Sequence, residues 1–158
     1  AYFAWRKATA EMDYLIQPCY ENAPSIREIH TELITLRVLT KTNCKTWDID
    51  FAYLEIPNGV SGYQFQAVDL ISGQLLPSVP EMKHVLDIWE FHQLALLPHW
   101  QQAAALAVRA HEALAPEIFS VAWDFILVED GAMLLEGNSS WGVCSLQKLR
   151  GPLLAKMV

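Results

Sequence analysis

The sequence predicts an α+β fold: a mainly antiparallel sheet with one long helix and smaller helices. Three observations point there. Between Leu33 and Leu70 the β signals fall in neighbouring runs joined by turn dipeptides, Asn58-Gly59 and Ser72-Gly73, not by crossover helices. A second pair of runs, Ser120 to Val128 and Ala132 to Glu136, reads as a hairpin. An alanine-rich helical stretch, about His99 to Leu114, stands between the two groups. A doubly wound fold would alternate strand and helix regularly, and this order does not. With 158 residues the chain is one domain's worth, able to bury roughly 68–70% of its unfolded surface.

Taken in order, residues 2–12 have a helical pattern, and Tyr14-Leu15-Ile16-Gln17-Pro18 reads as a short strand ended by proline. Ser25-Ile26-Arg27-Glu28 has capping-box spacing and predicts a short helical turn. Strands are expected at Leu33–Thr40, Thr46–Ile56 and Tyr63–Leu70. Residues 80–98 mix prolines with apolar residues and read as part helix, part strand. Pro98 opens the long helix and Pro116 stops it. A last helix is expected from about Ser145 to the break at Gly151-Pro152.

Composition excludes several function classes. Lys+Arg 11 against Asp+Glu 18 gives a net charge of −7, which argues against nucleic acid as the main partner. No apolar run reaches the ~18 residues of a membrane span, and the N-terminal residues lack a signal-peptide pattern. Cys19, Cys44 and Cys144 are odd in number and contain no CxxC pair, so a disulfide framework or zinc knuckle is not expected. Reduced thiols and a cytoplasmic location are the simplest reading. The chain is 53% hydrophobic and only 18% charged, against a usual ~25% charged. It opens on AYFAWRKATAEMDY with a helical pattern already under way. These features predict one lobe of something larger, packed against a missing N-terminal lobe or another chain; a compact enzyme with a large core is the alternative.

The chemistry is concentrated in the hairpin VAWDFILVEDGAMLLEGNSSWG. Asp124, Glu136 and Asn138 are polar residues within runs that otherwise read as buried strand. Glu136 and Asn138, two apart, share a face. A two-residue Asp130-Gly131 loop would pair residue 124 with residue 137 and send Asp124 to the other face. A three-residue Glu129-Asp130-Gly131 loop with Gly131 left-handed would pair 124 with 136 and 122 with 138; it is preferred, because glycine falls where positive φ is needed. Two carboxylates so placed repel unless a cation neutralises them or one keeps its proton. With an amide carbonyl they form a set of hard oxygen donors suited to Mg²⁺, which fills its remaining positions with water and phosphate oxygens. Edge-strand carboxylates facing water are the competing reading, at even weight on pattern alone.

These residues resemble a known family. WDFILVEDGAMLLEGN is similar to the metal-binding end of the ATP-grasp fold, in particular the sugar-transfer-associated ATP-grasp proteins of polysaccharide gene clusters. Further similarities follow in order: Tyr14–Pro18 resembles the hinge strand beside the adenine, and Thr35–Thr40 the family's Thr-Leu-Arg strand. Ala67-Val68-Asp69 with Gly73 resembles the next hairpin, and Leu97–Trp100 the lead into the long helix. The resemblance spans about residues 12–150 and implies the C-terminal lobe of an ATP-grasp domain. Asp124, Glu136 and Asn138 would then hold Mg²⁺ bridging the β- and γ-phosphates of ATP. Arg37 would sit over the triphosphate, and Gln17 and its neighbours would line the adenine. The implied activity is ATP-dependent ligation of a small carboxylate through an acyl phosphate, in polysaccharide or cell-envelope metabolism. The chain departs from the family pattern at Ile34, where asparagine is usual, and at Ser61-Gly62, where a glycine pair is usual. It departs again on Phe51–Ile56, where Glu55 stands near the place of an expected basic residue. A catalytically inactive interaction or scaffold module is the alternative.

The remaining candidates are weaker. His84, His92 and His99 are seven or eight apart and match no zinc helix. Cys144 reads as a small buried residue, and the scattered tryptophans as packing residues. Lys148, Arg150 and Lys156 read as a solvated face.

Overall fold

A computed structural model describes residues 19–43, 45–57, 62–76, 94, 96–142, 147 and 149. The expected helix 2–12, strand 14–18 with Gln17, the Asn58-Gly59 turn, most of 80–98 and most of the segment after Ser145 lie outside the described residues. Within them the elements are helix α1 (Pro24–Arg27), strands β1 (Thr35–Thr42), β2 (Trp47–Pro57) and β3 (Tyr63–Ala67), helix α2 (Trp100–Leu114), and strands β4 (Ser120–Val128) and β5 (Gly131–Asn138). The strands form one five-stranded sheet in the order β3-β2-β1-β4-β5, antiparallel at every pairing. The architecture is therefore α+β, with two helices among the described residues. None of these helices is long and apolar enough to cross a membrane.

Strand alternation sorts the side chains. Leu36 and Val38 of β1, Ala52, Leu54 and Ile56 of β2, and Val121, Trp123, Phe125 and Leu127 of β4 join the main core beneath α2. The helix meets them through Trp100, Ala103, Ala107 and Ala110, three or four apart along one stripe, with His111 one turn on from Ala107. Its short alanines let the helix lie close to the sheet. At Gly73, with φ +76°, a Cβ would stand 2.6 Å from the Trp100 ring, so both conformation and space require glycine there.

One polar network crosses this core. His111, fully buried, has Nε2 2.8 Å from the carbonyl of Ile118 and Nδ1 2.7 Å from the Thr40 hydroxyl. A carbonyl only accepts, so Nε2 carries the proton, and in the neutral ring Nδ1 accepts from Thr40. The Trp123 indole donates to the same hydroxyl at 2.8 Å.

Two local expectations are corrected. The Ser25–Glu28 capping box does not form: α1 starts at Pro24, is preceded by Ala23, and has no side-chain cap, because proline already satisfies the first helical position without an N–H. The third strand ends at Ala67 and not at Leu70. Asp69 folds the chain into a turn instead, its Oδ1 accepting from the backbone of Ser72 at 2.8 Å and of Ile71 at 3.2 Å.

Candidate metal and nucleotide site

The face of the sheet turned away from α2 carries the polar residues, and the register places them in one row. Tyr53 of β2 pairs with Arg37 of β1, Arg37 with Asp124 of β4, and Asp124 with Glu136 of β5. One step along, Phe51, Leu39, Ala122 and Asn138 form the neighbouring row. The expected pairing of 124 with 136 and of 122 with 138 is therefore present.

The route to it differs from the expected turn. The loop is two residues, Glu129-Asp130, with Val128 paired to Gly131. That register alone would turn Glu136 towards the helix, as it turns Ala132 and Leu134. A bulge restores the pairing: Phe125 pairs with Leu134 but Asp124 with Glu136, leaving Leu135 as the extra residue. One inserted residue flips everything after it to the opposite face. Gly131 does take the expected positive φ, +157°, but as the first residue of β5 and not as the third residue of the loop; the Gln102 side chain approaches so closely that a Cβ would sit 2.7 Å from its Oε1.

Asp124 is held tightly. Both its oxygens accept from Arg37, Oδ1 from Nε and Oδ2 from Nη2, each at 2.6 Å, the bidentate geometry that planar guanidinium favours. Its side chain is 7% exposed. The third guanidinium nitrogen, Nη1, reaches Glu55 Oε1 diagonally at 2.9 Å. The hydrogen bonds to Asp124, with its charge and that of Glu55, hold Arg37 in its charged form more firmly than usual against the opposing cost of burial. Burial pushes the Glu55 carboxyl above its ordinary range; Arg37 opposes this and Asp124 adds to it. The Tyr53 hydroxyl lies within interaction range of Arg37 and Glu55, yet it is buried and meets hydrogen-bond geometry with neither.

On the other flank, the Asn138 amide donates to Glu136 Oε1 at 2.9 Å and reaches Asp124 Oδ2 at 3.5 Å. The expected trio of Asp124, Glu136 and Asn138 is thus brought together. Among the described residues no three His, Cys, Asp or Glu side chains are placed to hold a metal ion together; this set is two carboxylates and an amide. An amide turned about its Cγ presents Oδ1 where Nδ2 stands, so Asn138 can serve a cation as readily as it now serves the carboxylates. Arg37, expected over a triphosphate, is engaged by Asp124 and Glu55, and Gln17 lies outside the described residues.

Glu55, Asp124 and Glu136 all line a cleft of about 740 Å³, walled on its apolar side by Leu33, Ile126 and Met133. That volume lies within the ordinary range for small-molecule sites, ~300–1,000 Å³. Tyr53 and Glu55 were not among the sequence candidates for the site. The alternation Phe51, Tyr53, Glu55 puts them on one face, but only the β1–β2 register shows that this face carries Arg37. Comparison with family models, with curated proteins and with solved structures returned no match.

Proposed function

We propose that this chain is a Mg·ATP-binding lobe of an ATP-grasp ligase, with the cation end of the site at Asp124, Glu136 and Asn138. The supporting observation is the row across the sheet, in which Glu136 stands opposite an almost buried Asp124 and Asn138 bridges the two. Their neighbourhood fits a divalent cation. Glu55, Asp124 and Glu136 against the single guanidinium of Arg37 leave two excess negative charges when all are ionised. The available donors are carboxylate and amide oxygens, the kind hard cations take.

A bound Mg²⁺ would neutralise phosphate oxygens and so ease attack at the γ-phosphorus. In the ligation, an oxygen of the substrate carboxylate bonds to that phosphorus while its bond to the bridging oxygen breaks, releasing ADP. An amine or similar nucleophile then displaces phosphate from the acyl phosphate. The part of this chain is positioning and electrostatics: the carboxylate row fixes the nucleotide's phosphate end, and Arg37 supplies donors beside it. The cytoplasmic and polysaccharide-related setting belongs to the same reading, through the family resemblance alone. A second reading, an inactive ATP-grasp-like interaction or scaffold module, has one observation in its favour. Arg37 already satisfies Asp124 and Glu55, as a purely structural ion-pair network would.

Thermal unfolding with Mg·ADP, Mg·ATP and Mg²⁺ alone separates the two. At ~100 times its Kd a ligand adds ~2.7 kcal/mol to stability, a shift of several degrees at this size. The metal–nucleotide reading expects a nucleotide-dependent shift that Asp124→Asn and Glu136→Gln each abolish. Absence of any shift in the parent chain supports the inactive module.

A further inference from the structure

We propose that Arg37 is a built-in counter-cation for Asp124: guanidinium and divalent cation compete for this carboxylate, and cation binding releases Arg37 towards the cleft as a donor for an anionic ligand group. The inference rests on the metal–nucleotide reading and adds to it the state of the site before the cation arrives.

Asp124 is only 7% exposed, and Arg37 caps both its oxygens at 2.6 Å. A dication placed on the same carboxylate would stand close to a fixed positive charge, at a cost that burial magnifies. One of the two must withdraw. The geometry shows which way the guanidinium can go. Its grip on Asp124 is a fork, whereas a separate nitrogen, Nη1, holds Glu55 at 2.9 Å, so losing Asp124 leaves Arg37 tethered. Glu55 itself lines the cleft. Next to it waits the buried Tyr53 hydroxyl, in range of the guanidinium and without a hydrogen bond, an acceptor for an N–H that turns away from Asp124. On the opposite flank, Glu136 is bonded to Asn138 and not to Arg37, so a cation approaching from that side meets a carboxylate that needs no vacating.

The test uses the full chain with Mn²⁺ alone for affinity and Mg²⁺ alone for NMR. Arg37→Met should bind Mn²⁺ at least about tenfold more tightly than the parent chain, since one unit of repulsion is removed at close range. Charge alone would also raise affinity, so the second readout is specific to displacement. The Arg37 Nε–H resonance, identified by its loss in Arg37→Lys, should leave its hydrogen-bonded position as Mg²⁺ is added to the parent chain. If Arg37→Met fails to fold, that resonance decides. Cation binding with the resonance unmoved, or with affinity unchanged in Arg37→Met, overturns the competition and leaves the metal reading standing. No cation binding by the parent chain or by Arg37→Met overturns both.

Discussion

Replacing Thr40 with valine keeps the shape of the side chain and removes one hydroxyl, and the structure sets the consequence. That hydroxyl accepts the Trp123 indole N–H at 2.8 Å and meets His111 Nδ1 at 2.7 Å, with Thr40 and His111 fully buried and Trp123 only 4% exposed. Thr40→Val leaves one buried donor and one buried acceptor without partners. Each such orphan costs about 1–3 kcal/mol, so the pair should cost ~2–6 kcal/mol. At this chain length that lowers the Tm by roughly 4–24 °C. The effect bears on the site because Trp123 neighbours Asp124 in β4: the anchored indole holds the strand that presents Asp124 to Arg37. Urea unfolding of parent, Thr40→Val and Thr40→Ser chains measures it. Serine keeps the hydroxyl and loses only a methyl, about 1 kcal/mol. The three slopes against urea should agree if the change is in native stability alone. Should valine prove no worse than serine, the hydroxyl is not what holds His111 and Trp123, and the reasoning fails.

Two further outcomes follow from the same geometry. A Cβ at Gly137 would run into the ring of Trp123, which its indole bond to Thr40 pins in place. Gly137→Ala should therefore destabilise by about 1–3 kcal/mol, whereas Gly142→Ala, with nothing within 4 Å, should be near neutral; equal effects in calorimetry would contradict the packing argument. Glu55 gives a pH dependence. Burial raises its folded-state pKa above the ordinary 4.5, so the folded chain holds this proton to higher pH than the unfolded one. Its contribution is complete below the unfolded value and is lost as pH rises through the folded value. Glu55→Gln cannot titrate, so the stability of the parent chain relative to this variant should decline from about pH 4 towards neutrality. A difference that stays flat or grows with pH rules this out.

The legibility of the site in the sequence follows the range of each interaction. Asp124, Glu136 and Asn138 could be singled out because polar residues interrupted apolar strand runs within one hairpin, where alternation decides which residues share a face. The pairing was right while the turn was not, since Leu135 looks like any strand leucine and nothing in its neighbours marks it as the extra residue. Arg37 was visible as a strand arginine but its partner was not. Asp124 lies 87 residues away, and joining them takes a β1–β4 pairing that no local pattern records. Glu55 and Tyr53 were hidden for the same reason, each intelligible only once β2 is laid beside β1. The antiparallel α+β character was readable because turn dipeptides and hairpin spacing are local; the order β3-β2-β1-β4-β5 depends on long-range closure.

The bulge at Leu135 means that strand β5 carries one residue more than its pairing with β4 uses. Ala132 and Leu134 face the helix before it, and Glu136 and Asn138 lie on the opposite face of the sheet after it. Leu135 itself is 47% exposed, so the identity of its side chain matters little to the core. Its exclusion from the regular pairing matters a great deal. Deleting it would join Leu134 directly to Glu136, keep Asp124 opposite Glu136 and remove only the bulge, whereas drawing Leu135 into regular pairing with Asp124 would send Glu136 and Asn138 under the helix. A strand that loses this residue and a strand that loops it out therefore present the same row to the sheet; only a strand that pairs it regularly does not.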